Sequence, residues 1–486
     1  MKRFIKTSKN FNFNNPKKGI IIASCLDNRS EIFVEFCRQS NKLTNSKSLA
    51  IFTNRRIYNE YKNESKDFKS IIIEVPLSNN LLEKLCLKGW NMIRKFDADS
   101  IDNLLHNSQC AFKLDRHIKG SLRNNLDYEK GLSLIAGIIY PYIQKFSRDI
   151  LENSIYITEG TTFVDIVLSN LLENLGIKTI VFGPSRIPNM HTLIHKDIFE
   201  SNFINENSNP IDINKNNLNK RVDYSHDFIP SFKLINQGKI IKGLKQSFIS
   251  GKRIIKEFLI FNDTFNRPSL KGIFNKYIGI FFNPAIKFII GNIQNYYPKV
   301  DKNDLIFYTH ISPERSVDIF SSLPVEVNQI KLLKELCKLS RKLNKVFILI
   351  HPDEFKASNL LLFVFLHIKY SHVFLITKND KFSNSNFVAT ISGTIILERA
   401  LKGFYTFHSS DTYFSKLLPS YKYFSACHLI TLMNTKIDTN KSPDLELINK
   451  FKNLIPSDSI EGGYLYEYPL NKKLIKKLIK KIWLKV

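Results

Sequence analysis

The chain has 486 residues and a mass of 56.5 kDa, enough for two hydrophobic cores rather than one. With 43% hydrophobic and 24% charged residues and a mean hydropathy of −0.17, its composition is that of a folded globular protein, which excludes a disordered chain and a multiply spanning one. The formal net charge of +27 suits nucleic acid or an anionic membrane, but there is no zinc-finger spacing, Arg-rich arm or aromatic RNA-binding strand, so nucleic acid is not expected as a partner. A joint abundance of Lys, Asn, Ile and Phe also fits an AT-rich coding bias, which yields a lysine excess with no partner at all.

In chain order, the opening segment MKRFIKTSKNFNFNNPKKG has the charges of a secretory signal without the apolar run that must follow them. Short aliphatic runs then alternate with longer amphipathic stretches, the pattern of strands and helices wound into a parallel sheet. Strands are predicted at 19–24, 49–53, 70–75, 154–157 and 179–182. Residues 202–219 are rich in Asn, Ser and Pro and read as a loop. The stretch 232–300 reads as basic and helical, and its most apolar part, 277–293, is interrupted by Asn283, Pro284 and Lys287 and is too broken to cross a bilayer, although it suits lying on a membrane surface. A second series of strands is predicted at 304–308, 346–350, 372–376 and 387–391. The six cysteines are scattered without a CxxC pair, which fits small apolar fillers in a reducing, cytoplasmic compartment and no metal site.

Open parallel sheets bind ligands beyond the carboxyl ends of their strands, so the residues after each strand are the site candidates. Ser392, Gly393 and Thr394 form a small-residue turn into a helix, a seat for a phosphate at the positive end of the helix dipole. Glu398, one turn on, has the two acceptor oxygens that a ribose diol needs. The same turn also fits a helix simply capped by Thr394 or Ser392. His351-Pro352-Asp353 places an imidazole at another strand end, and the loop containing His310, Pro313, Glu314, Arg315 and Ser316 follows a third. In the first half, Glu159-Gly160 follows a strand and opens a helix; Glu159 suits a general base for an acceptor hydroxyl, or only complements the helix dipole. Arg186 suits pairing with a phosphate or carboxylate, or is a surface charge.

In order along the chain, FYTHISPERS, EVNQIKLLKEL, FILIHPDE and TISGTIILERALKG, with NLLENLGIKTIVFGPSRIPN in the first half, resemble motifs of the capsule polysaccharide biosynthesis proteins, which include retaining Kdo transferases. Glu159-Gly160 and His351-Pro352 are also similar to paired motifs of sialyltransferases with the same fold. The resemblance implies an α/β GT-B fold, with two Rossmann-like parallel-sheet domains facing a cleft. It also implies a nucleotide-activated sugar donor, CMP-linked favoured, whose phosphate the His-Pro and Ser-Gly-Thr elements hold, with no metal and no cofactor. The family's histidine follows a Lys-containing stretch, whereas Leu349 and Ile350 precede His351 here.

The expected organisation is an acceptor-side domain at 1–231, a basic helical linker at 232–300, a nucleotide-sugar domain at 301–470 and a basic amphipathic helix at 471–486. That last helix sets Leu474, Ile475, Leu478, Ile479, Ile482 and Trp483 opposite a row of lysines, which suits either docking on an anionic membrane at the cytoplasmic face or packing across the domain junction. The expected function is sugar transfer to a glycan or lipid-linked acceptor in surface polysaccharide assembly. A CDP-polyol phosphotransferase of similar fold and a catalytically degenerate carbohydrate-binding assembly protein are the alternatives.

Overall fold

The computed structural model describes residues 19–25, 30–44, 47–53, 55–61, 68–76, 78–114, 127–158, 160, 162–184, 191–195, 245, 282, 285–310, 329–340, 345–351, 354, 357–377, 387–392, 395–396, 399, 405–410, 421–439, 459–461 and 472–483. The first unit runs β1 (Ile20–Cys25), α1 (Ser30–Thr44), β2 (Lys47–Phe52), α2 (Arg55–Tyr61), β3 (Lys69–Ile72), α3 (Asn79–Ile93), α4 (Ala98–Leu114), α5 (Tyr128–Ile143), α6 (Arg148–Glu152), β4 (Ile155–Thr158), α7 (Phe163–Glu173), β5 (Lys178–Pro184) and β6 (His191–His195). β1 is buried along its whole length, because a parallel strand is covered by helices on both faces and so tolerates an unbroken apolar run. Strands β3, β2, β1, β4 and β5 lie side by side and parallel, with β6 antiparallel at the β5 edge. From β1 the chain first winds one way to β2 and β3, then crosses to β4 on the other side.

The second unit runs β7 (Leu305–Tyr308), α8 (Gln329–Leu339), β8 (Val346–Leu349), α9 (Ala357–Lys369), β9 (Val373–Ile376), β10 (Phe387–Ala389), β11 (Tyr405–Phe407) and α10 (Ala426–Thr439). Its sheet is wholly parallel in the order β11, β10, β7, β8, β9, again doubly wound about its first strand. The α/β fold class with two Rossmann-like parallel sheets is therefore what the chain adopts.

The chain then returns to where it began. β12 (Ser459–Glu461) pairs antiparallel with β6 in the first sheet, and α11 (Lys472–Trp483) packs on α1. Leu474, Ile475, Leu478, Ile479 and Ile482 are buried in one core with Ile21, Ala23, Phe33, Phe36 and Phe182. Of the two occupants open to this apolar face, the protein interior has it, while Lys472, Lys473, Lys476, Lys477 and Lys480 face solvent. The span 301–470 expected for the second unit accordingly gives up 459–461 to the first sheet. A three-residue edge strand with a charge in it carries too little pattern to reveal its partner. Among the described residues no helix is long and apolar enough to cross a membrane.

Cys25, Cys37 and Cys337 are buried free thiols, and burial pushes Cys37 and Cys337 up to about 12, as expected of inert apolar fillers, whereas Cys86 is half-buried and Cys110 and Cys427 are exposed, so the filler reading fails for those three. Helices α3 and α5 cross with their backbones in contact: a Cβ at position 89 would overlap the carbonyl oxygen of Ser133, and one at 137 that of Leu85. Gly89→Ala is therefore expected to lower stability by about 2–3 kcal/mol, read as a lower urea midpoint at unchanged slope.

Candidate functional site

In the second sheet, β7 is the strand from which the chain winds both ways, so the crevice between the carboxyl ends of β7 and β10 is its switch point. β8 lies on the other side of β7. Three of the strand exits singled out in the sequence are thus adjacent in space, although β9 intervenes in the chain.

The exits are tied to one another. Thr309 donates from its N–H and its Oγ1 to the carbonyl of Leu349, both at 3.0 Å, and Oγ1 accepts the N–H of His351 at 2.9 Å. The peptide groups of His310 are matched by the side-chain amide of Gln329 at the start of α8, its N–H reaching Oε1 at 2.6 Å and its carbonyl accepting from Nε2 at 2.9 Å. Across the switch point, the Ser392 N–H points at His310 Nε2 at 3.2 Å, and Thr390 Oγ1 lies 2.7 Å from the same nitrogen. Thr390 Oγ1 also reaches the Ser392 carbonyl at 3.2 Å, so ring, hydroxyl and peptide close one cluster across the switch point. His310 thus fixes the turn after β10 through one ring nitrogen.

His351 stands half-buried at the exit of β8. Its carbonyl and that of Glu354 accept from Lys287 Nζ at 3.5 and 3.0 Å, and Glu354 is itself buried with Asn359 Nδ2 at 3.0 Å from its carboxylate. Lys287 as a whole is 8% exposed. The structure therefore brings a cation to this strand exit from 64 residues upstream, where the sequence around His351 supplies none. Arg399, in the helical segment after Ser392, donates from Nη2 to Tyr308 Oη at 2.9 Å, with its guanidinium above the Tyr308 ring.

β11 brings a fourth segment that the sequence reading did not single out. The Ser409 N–H donates to the Ile391 carbonyl at 3.0 Å, so 409–410 runs beside 391–392. Ser409 and Ser410 are fully buried, and Ser410 Oγ has no hydrogen-bond partner among the described residues. A hydroxyl left so costs about 1–3 kcal/mol unless a ligand or water engages it. Two adjacent serines after a short apolar run were the available signal, visible only once β11 is set beside β10.

The first sheet has the corresponding switch point between β1 and β4. Asp165, buried on α7, accepts at Oδ1 from Ser24 Oγ and Thr158 Oγ1, both at 2.6 Å, and lies 3.4 Å from the Tyr156 hydroxyl. Its Oδ2 accepts from the N–H and the hydroxyl of Thr162 at 3.1 Å, closing a capping box. Burial and then the Asp165 carboxylate push the Tyr156 phenol well above its usual value, so it stays protonated and can donate. Gly160 has φ +66°, a left-handed conformation that suits glycine, and donates to Thr158 Oγ1 at 2.9 Å. Asp165→Ala would take the carboxylate acceptor from four buried hydroxyls, those of Ser24, Tyr156, Thr158 and Thr162, and stability is expected to fall by about 3 kcal/mol, with Asp165→Asn recovering part of it in the same urea titration.

Of the residues anticipated from sequence, the structure gathers His310, His351 and Ser392 at one switch point and places Gly160 at the other. Glu159, Arg186, Pro313, Glu314, Ser316, Pro352, Gly393, Thr394 and Glu398 lie outside the described residues.

The two sheets define an α/β protein of the doubly wound class. No family model and no curated protein matches the chain. Among solved structures it is similar to a Listeria monocytogenes protein assigned as a UDP-N-acetylglucosamine 2-epimerase, at 9% identity over 95% of each chain with a TM-score of 0.26. It is also similar to a glycosyltransferase from Rickettsia africae ESF-5, at 10% identity over 96% of this chain and 98% of that one with a TM-score of 0.30. At these values neither likeness extends to a substrate or a reaction.

Proposed function

We propose that this protein is a glycosyltransferase of GT-B arrangement that draws on a nucleotide-activated sugar, CMP-linked by preference, in capsule or other surface polysaccharide assembly. The observation that carries the reading is the convergence of His310, His351, Ser392 and Ser410 at the strand exits around the switch point of the second sheet, where an imidazole and serine hydroxyls suit a phosphate. Ser392, Gly393, Thr394 and His351 hold the donor phosphate, and Glu398 the ribose. Pro313, Glu314, Ser316 and Pro352 shape the donor pocket. No metal or other cofactor takes part.

In the transfer, the bond between the anomeric carbon and the phosphate oxygen breaks, and the nucleotide leaves with the electron pair. His351 stabilises the charge that develops on that oxygen. Glu159 takes the proton of the acceptor hydroxyl, whose oxygen bonds to the sugar carbon; the Asp165 network shapes the turn that carries Glu159. Arg186 and Gly160 serve the acceptor side, where a glycan or lipid-linked acceptor enters from the cytoplasm.

Product analysis after incubation with CMP-, CDP-, UDP- and GDP-activated donors and surface-glycan acceptors tests this. A new glycosidic bond is expected. A phosphodiester would assign the chain to polyol-phosphate transfer, and nucleotide binding without turnover would leave a binding protein.

A further inference from the structure

Among the described residues, twelve large apolar side chains are exposed, and eight of them lie either between residues 282 and 296 or on α9. Residues 285–293 form a helix that continues into a short 3-10 turn, Gln294–Tyr296. One face turns inward through Lys287, Ile290 and Gln294, leaving Phe288, Ile289, Ile293 and Tyr296 outside, with Phe288 70% and Tyr296 88% exposed. On α9 the inward face is Leu360, Phe363 and Leu366, and the outward stripe includes Phe365 and Ile368, the latter 76% exposed. A surface helix ordinarily places charged groups on that outer face.

The two elements are neighbours. Ile290 is buried in the same core as Leu360, Phe363 and Leu366, and the Tyr297 ring packs 5.6 Å from that of His367 at the end of α9. Neither 285–300 nor 357–369 contains an Asp or Glu. Exposed Lys299 and Lys369 stand at their ends, and Lys369 Nζ lies over the Phe365 ring, 5.6 Å from its centroid, so a cation stands directly beside the apolar stripe.

We infer that this face of the second unit docks on an anionic lipid bilayer, Phe288, Ile289, Tyr296, Phe365 and Ile368 entering the headgroup boundary while the lysines meet lipid phosphates. The charge selects the occupant. A second copy would bring another +27 to two segments, 285–300 and 357–369, that carry no carboxylate, the adjoining Asp301 being already paired with Lys345, whereas anionic headgroups complement the charge. Aromatic and aliphatic side chains rimmed by lysine are the composition that binds bilayer interfaces. The docking face therefore differs from the C-terminal helix, whose apolar side is buried in the first unit.

The test is sedimentation of the full-length protein with vesicles of phosphatidylglycerol and phosphatidylcholine, against vesicles of phosphatidylcholine alone. Wild-type protein is expected to bind the anionic vesicles roughly tenfold or more tightly, and the double variant Phe288→Glu/Ile368→Glu to lose roughly tenfold or more of that affinity. Leu43→Glu/Leu87→Glu, which changes the charge equally at exposed apolar residues elsewhere, is expected to bind as wild type does. Equal binding by the two double variants, or equal binding to both vesicle types, would overturn the inference. So would a lipid-free dimer, by light scattering, that Phe288→Glu/Ile368→Glu converts to monomer. Should the double variant not fold, Phe288→Ser and Ile368→Ser singly are to show the same loss against Leu87→Ser.

Discussion

A chain ending at Leu470 is expected not to fold its first α/β unit. The truncation strips Leu474, Ile475, Leu478, Ile479 and Ile482 from a core they share with β1 and α1 and exposes the apolar surface they cover. At roughly 1.5–3 kcal/mol for each large buried side chain, the loss is on the order of 10 kcal/mol, comparable with the ~5–15 kcal/mol that keeps an ordinary domain folded. The cooperative thermal transition of that unit should disappear, and added vesicles should not restore it. A truncated chain that melts like the full-length protein and merely leaves the membrane fraction would contradict this packing and restore the amphipathic helix as a lipid anchor.

His351→Ala is expected to act on catalysis and not on the fold. The loop is held through its backbone, by Thr309 Oγ1 on the N–H and Lys287 on the carbonyl, and those contacts survive loss of the ring. In the proposed reaction the imidazole meets the leaving phosphate, and removing one such donor lowers kcat/KM by roughly 10²–10³. The melting temperature should stay within about 2 °C of wild type. A variant that transfers sugar at the wild-type rate would remove His351 from the reaction; one that is inactive because it is unfolded would make the residue structural.

The parallel strands were legible because burial on both faces leaves unbroken runs such as Ile20–Cys25 and Val346–Leu349. β6, β11 and β12 were not predicted. They are short segments, two of them pairing antiparallel at one edge of the first sheet, where apolar content no longer marks a strand. In α11 the spacing shows which face is apolar but not what covers it, since many partners satisfy one stripe. At the site, the strand ends carrying His310, His351 and Ser392 stood out in sequence. That they share one sheet edge follows from each standing after a parallel strand, but that β10 rather than β9 lies beside β7 does not, because the order of strands in a sheet is set by how helices pack. Lys287 and Ser410 reach the crevice from an upstream helix and a neighbouring strand, so no local pattern ties them to it. In the sequence Asp165 is one more polar residue among apolar neighbours; its part in joining β1, β4 and the helix start at Thr162 exists only in the folded chain.

The account turns on whether the crevice between β7 and β10 holds a nucleotide, and the thermal shift of the wild-type chain with CMP, CDP, UDP and GDP tests that most directly. Binding to the native state alone stabilises by about 2.7 kcal/mol at a hundred times the Kd, which for a unit of this size raises Tm by about 5 °C or more. The predicted result is such a shift for at least one nucleotide, CMP foremost, reduced in His351→Ala. No shift with any of the four, at millimolar concentration, would contradict it.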